Sequence, residues 1–322
     1  MRIALIISLL TIKVLTFEHN VTNHTPEGLI YHGERYNVNE YPFIVTITIA
    51  FPRNSKETCT GTLVNKWLVL TSAHCVYDID KYFIKVYQGT WVQNKISRNV
   101  IYKFIHEDYN PEHNNKFISG DVSVLQINRP FPKIKKYINI GGTPDDFFNE
   151  NILDCIIIGF GLIDEKTVGV EGFQSRVKVK HGRTACRGFN SEIIRNTWDQ
   201  YLCTIPGDNA TCLGDNGGPM ICDGLLYGIC SFAINFYGDS ETMCGSKNVQ
   251  VVHLFIHYYR RWIDEVIEMV MGNPESTTEK PDFMTEESNK PKKKKKKSAG
   301  ESIKPHPTLY TIPALLFYNI VL

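Results

Sequence analysis

The sequence predicts an all-β fold that ends in one helix, and three observations lead to this prediction. Short runs rich in β-branched residues recur along both halves of the chain. Turns rich in polar residues and glycine separate these runs, which favours a barrel or a sandwich over an α/β fold. Apolar residues at helical spacing appear near the end of the predicted globular body. With 43% hydrophobic residues among 322, the chain can bury a substantial core.

The first half of the chain opens with an alternating run. In Pro42–Ile49, β-branched residues follow one another in the pattern of a strand. Gly61–Leu70 holds two further strand-like runs around a polar turn. Additional strands are predicted at Tyr82–Val86, Val100–Phe104 and Val122–Ile127.

A second β-rich half follows Pro130–Asn151, whose prolines, glycines and mixed charge favour a link between two halves. The strands predicted there are Cys155–Gly161, Gly172–Val179, Pro219–Cys222 and Leu225–Phe232. Leu254–Val270 then carries an apolar stripe at helical spacing. The residues of the stripe are Ile256, Tyr259, Ile263, Val266 and Val270. Gly272 and Pro274 are expected to end this helix.

The N-terminus resembles a secretory signal peptide, because Met1-Arg2 precedes the apolar run Ile3–Leu10. We assign residues 1–16 to this signal, since a membrane-spanning helix would need about 20 apolar residues. Residues 17–29 are polar and contain glycosylation sequons at Asn20 and Asn23. Secretion makes disulfides expected.

The C-terminal part, residues 273–308, is rich in Glu, Lys, Ser, Thr and Pro, and we predict an unfolded tether. It contains the run Lys292–Lys297, interpreted as a solvated linker with polyanion binding as the alternative. Small residues at 298–300, a polar spacer and the apolar residues 309–322 follow in the order of a glycosylphosphatidylinositol (GPI) signal. Ser298 is the expected attachment residue, and a C-terminal peptide without a role is the alternative.

The charge of the chain excludes one class of partner. Its net charge is +1, and nine lysines against six acids after Asn273 leave the predicted globular body slightly acidic. No basic face for nucleic acid is implied. We predict no cofactor and no metal.

Three motifs carry the chemistry. In chain order they are Thr71-Ser72-Ala73-His74-Cys75, Gly120-Asp121-Val122-Ser123-Val124-Leu125 and Gly214-Asp215-Asn216-Gly217-Gly218-Pro219. These segments resemble the histidine, aspartate and nucleophile segments of the chymotrypsin/trypsin family of serine proteases, in that family's order. The resemblance covers about residues 30–270.

The resemblance implies a fold of two six-stranded antiparallel β-barrels with a C-terminal helix. Residues 30–272 would form this domain, with barrels at about 30–140 and 150–255 and the site between them. It also implies four disulfides among the nine cysteines, namely Cys59–Cys75, Cys155–Cys222, Cys186–Cys203 and Cys212–Cys244. Cys230 is left over, and we interpret it as a small buried hydrophobic residue.

In the family, a serine attacks, a histidine takes its proton and a buried aspartate orients the histidine. His74 and Asp121 match the last two roles, whereas Asn216 stands where the serine should be. A carboxamide is neither deprotonated by imidazole nor a useful nucleophile. The oxyanion hole, which the resemblance places at the backbone N–H groups of Gly214 and Asn216, would persist.

Two further departures point away from proteolysis. The resemblance places Ala210 at the floor and Ala233 and Val251 at the walls of the specificity pocket, which is therefore expected to be narrow or closed. Activation in the family requires cleavage before an isoleucine whose amine pairs with the aspartate before the nucleophile. Ile30 and Asp215 match that pair, but Leu29 precedes Ile30 where arginine or lysine is usual.

The sequence therefore predicts an extracellular, catalytically inactive serine protease homologue that binds a protein or peptide. It would act as a cofactor or decoy for a protease, and a C-terminal lipid anchor would bring it to the membrane. The alternative from the enzyme class is a weak serine-type endopeptidase with a narrow pocket. A third interpretation treats the barrels as a passive scaffold for Lys292–Lys297.

Overall fold

The fold is given by a computed structural model that describes residues 33–51, 56–89, 96–113, 119–161, 172–186, 196–207, 215–236 and 248–272. Several predicted features lie outside these residues. They are Ile30, Ala210, Cys212, Gly214, Cys244, the sequons at Asn20 and Asn23, the signal peptide and the whole tail with Ser298. Among the described residues, no helix has the length and hydropathy of a membrane span.

Six antiparallel strands close the first barrel in the spatial order β2-β3-β4-β7-β6-β5. Its core is built by β-branched and leucine side chains, which pack well on a pleated surface. The first six residues of β2, for example, are all buried. The strands are β2 (Ile44–Ala50), β3 (Lys56–Leu63), β4 (Leu68–Thr71), β5 (Ile84–Gln88), β6 (Ser97–Ile105) and β7 (Ser123–Ile127).

The second barrel closes through six antiparallel strands in the order β9-β10-β11-β14-β13-β12, because β9 pairs with both β10 and β12. Two short strands extend it: β1 (Glu34–Arg35) pairs with β10, and β8 (Asn139–Ile140) lies parallel to β13. The barrel strands are β9 (Leu153–Gly159), β10 (Phe173–Lys180), β11 (Tyr201–Thr204), β12 (Pro219–Cys222), β13 (Leu225–Asn235) and β14 (Val249–Phe255). The predicted fold class, two six-stranded antiparallel barrels with a C-terminal helix, is confirmed.

Helix α1 (Ile256–Gly272) buries all five residues of the predicted stripe. It begins two residues later than predicted, because Leu254 and Phe255 pair with β11 and β13 as the end of β14. On its exposed face, Arg260–Asp264 and Arg261–Glu265 form ion pairs one turn apart.

Two segments differ from the sequence prediction. Lys81–Phe83 forms a 3-10 helix instead of the start of a strand, because the Asp80 side chain accepts a hydrogen bond from Tyr82 N. The link Pro130–Asn151 is ordered and buries Phe131, Ile134 and Ile138 before a 3-10 helix at Pro144–Glu150.

Disulfides Cys59–Cys75, Cys155–Cys222 and Cys186–Cys203 are present, and Cys230 is buried and takes part in none of these three. Cys59–Cys75 joins β3 to the segment after β4, so it fixes the region around His74.

Candidate active site

The pairing of β4 with β7 brings His74 and Asp121 together. Thr71 at the end of β4 lies opposite Ser123 at the start of β7. The segments that continue from these strands therefore remain side by side, and Ala73 N donates to Asp121 O over 3.1 Å. His74 and Asp121 are thus adjacent in space although 47 residues separate them.

Asp121 orients His74 through two contacts. Its Oδ1 accepts from the backbone N of His74 at 2.7 Å, and its Oδ2 accepts from the ring Nδ1 at 2.8 Å. The hydroxyl of Ser231 also donates to Oδ2. Because Asp121 is fully buried, these hydrogen bonds compensate for the removal of a carboxylate from water.

The environment of His74 favours its protonated form. Burial by itself lowers the pKa of the imidazole. The charge and hydrogen bond of Asp121, with a smaller contribution from Glu57, raise this pKa by more than burial lowers it. The net pKa of His74 is therefore above its ordinary value. Since Nδ1 is bound to Asp121, Nε2 is the ring atom left to exchange protons with another group.

Asn216 is held at the junction of the two barrels. Its carbonyl oxygen accepts from Thr60 N at 2.8 Å, and Gly217 N donates to Cys230 O at 2.8 Å. The Cys75 sulfur lies 3.7 Å from Nε2 of His74 and 3.9 Å from the Asn216 carbonyl oxygen. His74 and Asn216 therefore lie beside the same disulfide.

Gly217 is required by the shape of this loop. Its φ is +79°, in the region that favours glycine. A Cβ there would also overlap the Thr71 hydroxyl and the Thr60 carbonyl oxygen. The sequence around Asn216 is therefore set by its contact with the first barrel as well as by any chemistry.

Asp215 is buried beside Gly159 and Gly161. Its Oδ1 accepts from Gly161 N at 2.9 Å, and a Cβ on Gly159 would overlap its carboxylate. Tyr36, just after β1, packs edge to face against Phe160 with ring centroids 5.6 Å apart. The segment after β1 thus packs against the residue between Gly159 and Gly161, while Ile30 itself lies outside the described residues.

Ala233 and Val251 lie directly opposite each other on β13 and β14. Together with Cys230 they form a small apolar cluster in which Val251 and Cys230 are buried. Cβ groups therefore occupy both predicted wall positions. The predicted floor, Ala210, lies in the stretch 208–214, which the structure does not describe.

His253 also belongs to this region, although no motif in the sequence marks it. It lies opposite Cys230 on β14, is fully buried, and neither ring nitrogen has a hydrogen-bond partner. Burial lowers its pKa to about 3. A histidine inside a strand gives no sequence signal, since only the pairing with β13 places it beside Cys230.

The described residues offer one cluster with metal-ligand atoms, formed by Cys59, His74 and Cys75. The two sulfurs are bonded to each other, so they cannot act as thiolate ligands. This cluster is not a metal site.

Comparison with known proteins agrees with this geometry. A family model described as Trypsin matches residues 30–263. The mouse kallikrein 1-related peptidase b22 is 29% identical over 222 residues, which cover 65% of this chain and 80% of the relative. Snake venom serine protease BITS01A of Bothrops insularis is 24% identical over 255 residues, which cover 77% of this chain and 90% of the venom protein.

Solved structures share the fold. HL collagenase superposes with a TM-score of 0.60 at 22% identity, covering 74% of this chain and 98% of the collagenase. Neuropsin, a serine protease of mouse brain, superposes with a TM-score of 0.59 at 23% identity, covering 73% of this chain and 98% of neuropsin. The extent of the family match shows that this chain belongs to the trypsin family.

Proposed function

We propose that this chain is an extracellular, catalytically inactive member of the trypsin family that works by binding a protein or peptide. The observation that carries the proposal is Asn216, which stands at the nucleophile position next to a hydrogen-bonded His74 and Asp121. His74 can accept a proton through Nε2, but the carboxamide of Asn216 has no proton that imidazole can remove at neutral pH. In a related mechanism, loss of the serine lowers kcat by about 10⁶.

Two features support an extracellular location. The first 16 residues have the pattern of a signal peptide, and the described residues contain three disulfides, which persist in oxidising compartments. The relative from Bothrops insularis is a snake venom protease, and venom is a secreted fluid.

Hydrolysis of a peptide ester by the purified protein tests the inactivity. We expect no turnover above that of a His74→Ala variant, and no labelling by a serine-directed fluorophosphonate. Turnover that is lost in His74→Ala would overturn the proposal.

A weak serine-type endopeptidase is the second candidate, and the intact His74–Asp121 hydrogen bond favours it. The wild type compared with His74→Ala separates the two candidates, and the Asn216→Ser variant tests the pocket. If Ala233 and Val251 close the pocket, this variant should cleave poorly after lysine or arginine, and at best weakly after small residues. Efficient cleavage after lysine by Asn216→Ser would contradict the proposed pocket.

We further propose that a glycolipid at Ser298 replaces residues 299–322 and holds the protein at the cell surface. Small residues at 298–300, a polar spacer and the apolar residues 309–322 follow one another in the order of a GPI signal, and leaving these apolar residues in water is costly. Phosphatidylinositol-specific phospholipase C should release the protein from expressing cells. Secreted protein with residues 309–322 intact by mass spectrometry would contradict the anchor.

A further inference from the structure

The replacement of serine by asparagine changes what the site offers to a ligand. A serine hydroxyl has one proton, which His74 would remove during catalysis. A carboxamide has two N–H donors and keeps both. The site has therefore lost a nucleophile and gained hydrogen-bond donors.

The direction of the Asn216 carboxamide follows from its contact with Cys230. The Oδ1 atom lies 3.9 Å from the Cys230 sulfur, and the thiol S–H is a weak donor. The oxygen therefore faces the buried thiol, and Nδ2 with its two protons faces away from it. Asn216 itself is partly exposed.

His74 supplies a second donor when it is protonated. Its Nδ1 is bound to Asp121 at 2.8 Å, so any ligand meets Nε2, and its side chain is 25% exposed. The charged groups acting on the ring are Asp121, which precedes β7, and Glu57 on β3, and both raise its pKa. Protonated Nε2 and the Asn216 amide would then both donate.

We propose that His74 and Asn216 form a carboxylate-binding site that takes the C-terminal carboxylate of a peptide. This inference rests on the proposed binding function and names its ligand class. An anion that accepts from an imidazolium and an amide forms charge-assisted hydrogen bonds, which are about twice as strong as neutral ones. A peptide bond or a C-terminal amide carries no such charge.

Apolar residues beside the site favour a peptide over a small carboxylate. Ser231, which binds Asp121, is followed on β13 by the half-buried residues Phe232, Ala233 and Ile234. Ala233 packs against Cys230, which contacts Asn216, so a ligand with a carboxylate at one end and side chains behind it would run along this part of β13. Acetate would gain nothing from these residues.

The test uses the full-length secreted protein and ligand-observed NMR titrations. The probes are acetyl-trialanine with a free carboxylate, the same peptide with a C-terminal carboxamide, and sodium acetate. At mildly acidic pH we expect the peptide acid to bind about tenfold or more tightly than the amide. This preference should fall as the pH rises through the pKa of His74, because the imidazole then loses the proton and the charge that attract the carboxylate. The ligand carboxylate, with a pKa of about 3.5, stays charged over this range and does not cause the change.

Two variants test the residues. Asn216→Asp keeps the shape of the side chain but replaces its donors with a negative charge, and His74→Gln removes the titrating cation. Both should lose the preference for the acid. Asn39→Asp makes the same charge change at an exposed position and should keep it.

The inference is overturned if the acid and amide bind equally, if neither binds at millimolar concentration, or if Asn216→Asp keeps the preference. Acetate binding as tightly as the peptide acid would overturn the peptide assignment. In each case, continued absence of ester hydrolysis would leave the proposed function standing. Turnover that depends on His74 would instead overturn the proposed function.

Discussion

At the scale of single residues, Asp121 is tied to His74 and Ser231 by contacts that do not depend on catalysis. The buried carboxylate accepts hydrogen bonds from His74 N, His74 Nδ1 and the Ser231 hydroxyl. Loss of a partner from a buried charged group is more costly than loss of a surface contact. His74 and Asp121 therefore stabilise the fold whether or not the protein cleaves anything.

The buried His253 should make the stability of the fold sensitive to acid. Its pKa is about 3 in the fold against 6.5 for an ordinary histidine, so between these values the unfolded chain binds a proton that the folded chain excludes. The stability that comes from the lowered pKa is present above pH 6.5 and is lost as the pH falls toward 3.

We therefore expect His253→Leu to flatten the acid side of the stability curve. Between pH 6.5 and 5, the free energy of unfolding should fall by about 2 kcal/mol more in the wild type than in the variant. Urea unfolding at a series of pH values measures this, with His257→Leu on the exposed side of α1 as the control. Parallel curves for the wild type and His253→Leu would contradict the prediction.

At the scale of elements, α1 contributes directly to the site. The Tyr259 hydroxyl accepts from Gly120 N at 3.1 Å and donates to Gln200 at 3.0 Å. Gly120 immediately precedes Asp121 and has a φ of +68°. The C-terminal helix thus holds the turn that presents the carboxylate to His74.

The Tyr259→Phe variant tests this connection. It leaves a buried N–H at Gly120 without its acceptor, and we expect a loss of about 1–3 kcal/mol in the free energy of unfolding. Tyr82→Phe is the matched control, because Tyr82 is 79% exposed and should change stability little. Equal stability of the two variants in urea would show that the Tyr259 hydroxyl does not support the turn.

The elements also show how far the sequence could predict the fold. Strands with alternating or β-branched runs, such as β2 and β7, are predicted close to their observed bounds. β11 is only four residues long, and every residue of β14 is buried, so neither shows the alternation that identifies a strand. The end of β14 was therefore assigned to the helix that follows it.

The site was predictable only where its residues lie in local motifs. His74, Asp121 and Asn216 stand in recognisable segments, whereas Ser231 reaches Asp121 across 110 residues. Tyr259 was predicted as an apolar member of the helical stripe, and its hydroxyl contact to Gly120 depends on the final packing. Nonlocal hydrogen bonds of this kind leave no trace in sequence spacing.

At the scale of the whole molecule, the segments that carry the site also join the two barrels. Thr60 N donates to Asn216 O at 2.8 Å, Phe160 N to the Thr60 hydroxyl at 3.1 Å, and the Ser72 hydroxyl to Cys230 O at 2.7 Å. Each contact crosses from the first barrel to the second. The residues around Asn216 therefore have a structural role at the junction that is independent of catalysis.

Gly217 allows this junction to be tested separately from backbone strain. Gly217 and Gly224 have nearly the same φ, +79° and +75°, but a Cβ at Gly224 would meet nothing within 4 Å. Replacement by alanine at either position costs about 1 kcal/mol for the left-handed backbone. Only Gly217→Ala also forces a methyl group into Thr60 and Thr71 of the first barrel, which should cost roughly a further 1–3 kcal/mol.

We therefore expect Gly217→Ala to lower the free energy of unfolding by clearly more than Gly224→Ala, measured in urea with the disulfides intact. The excess arises between the barrels, so it should be accompanied by earlier proteolytic cleavage of the link Pro130–Asn151 in Gly217→Ala. If both glycine variants lose the same stability, the contact of the Asn216 loop with Thr60 and Thr71 does not hold the barrels together.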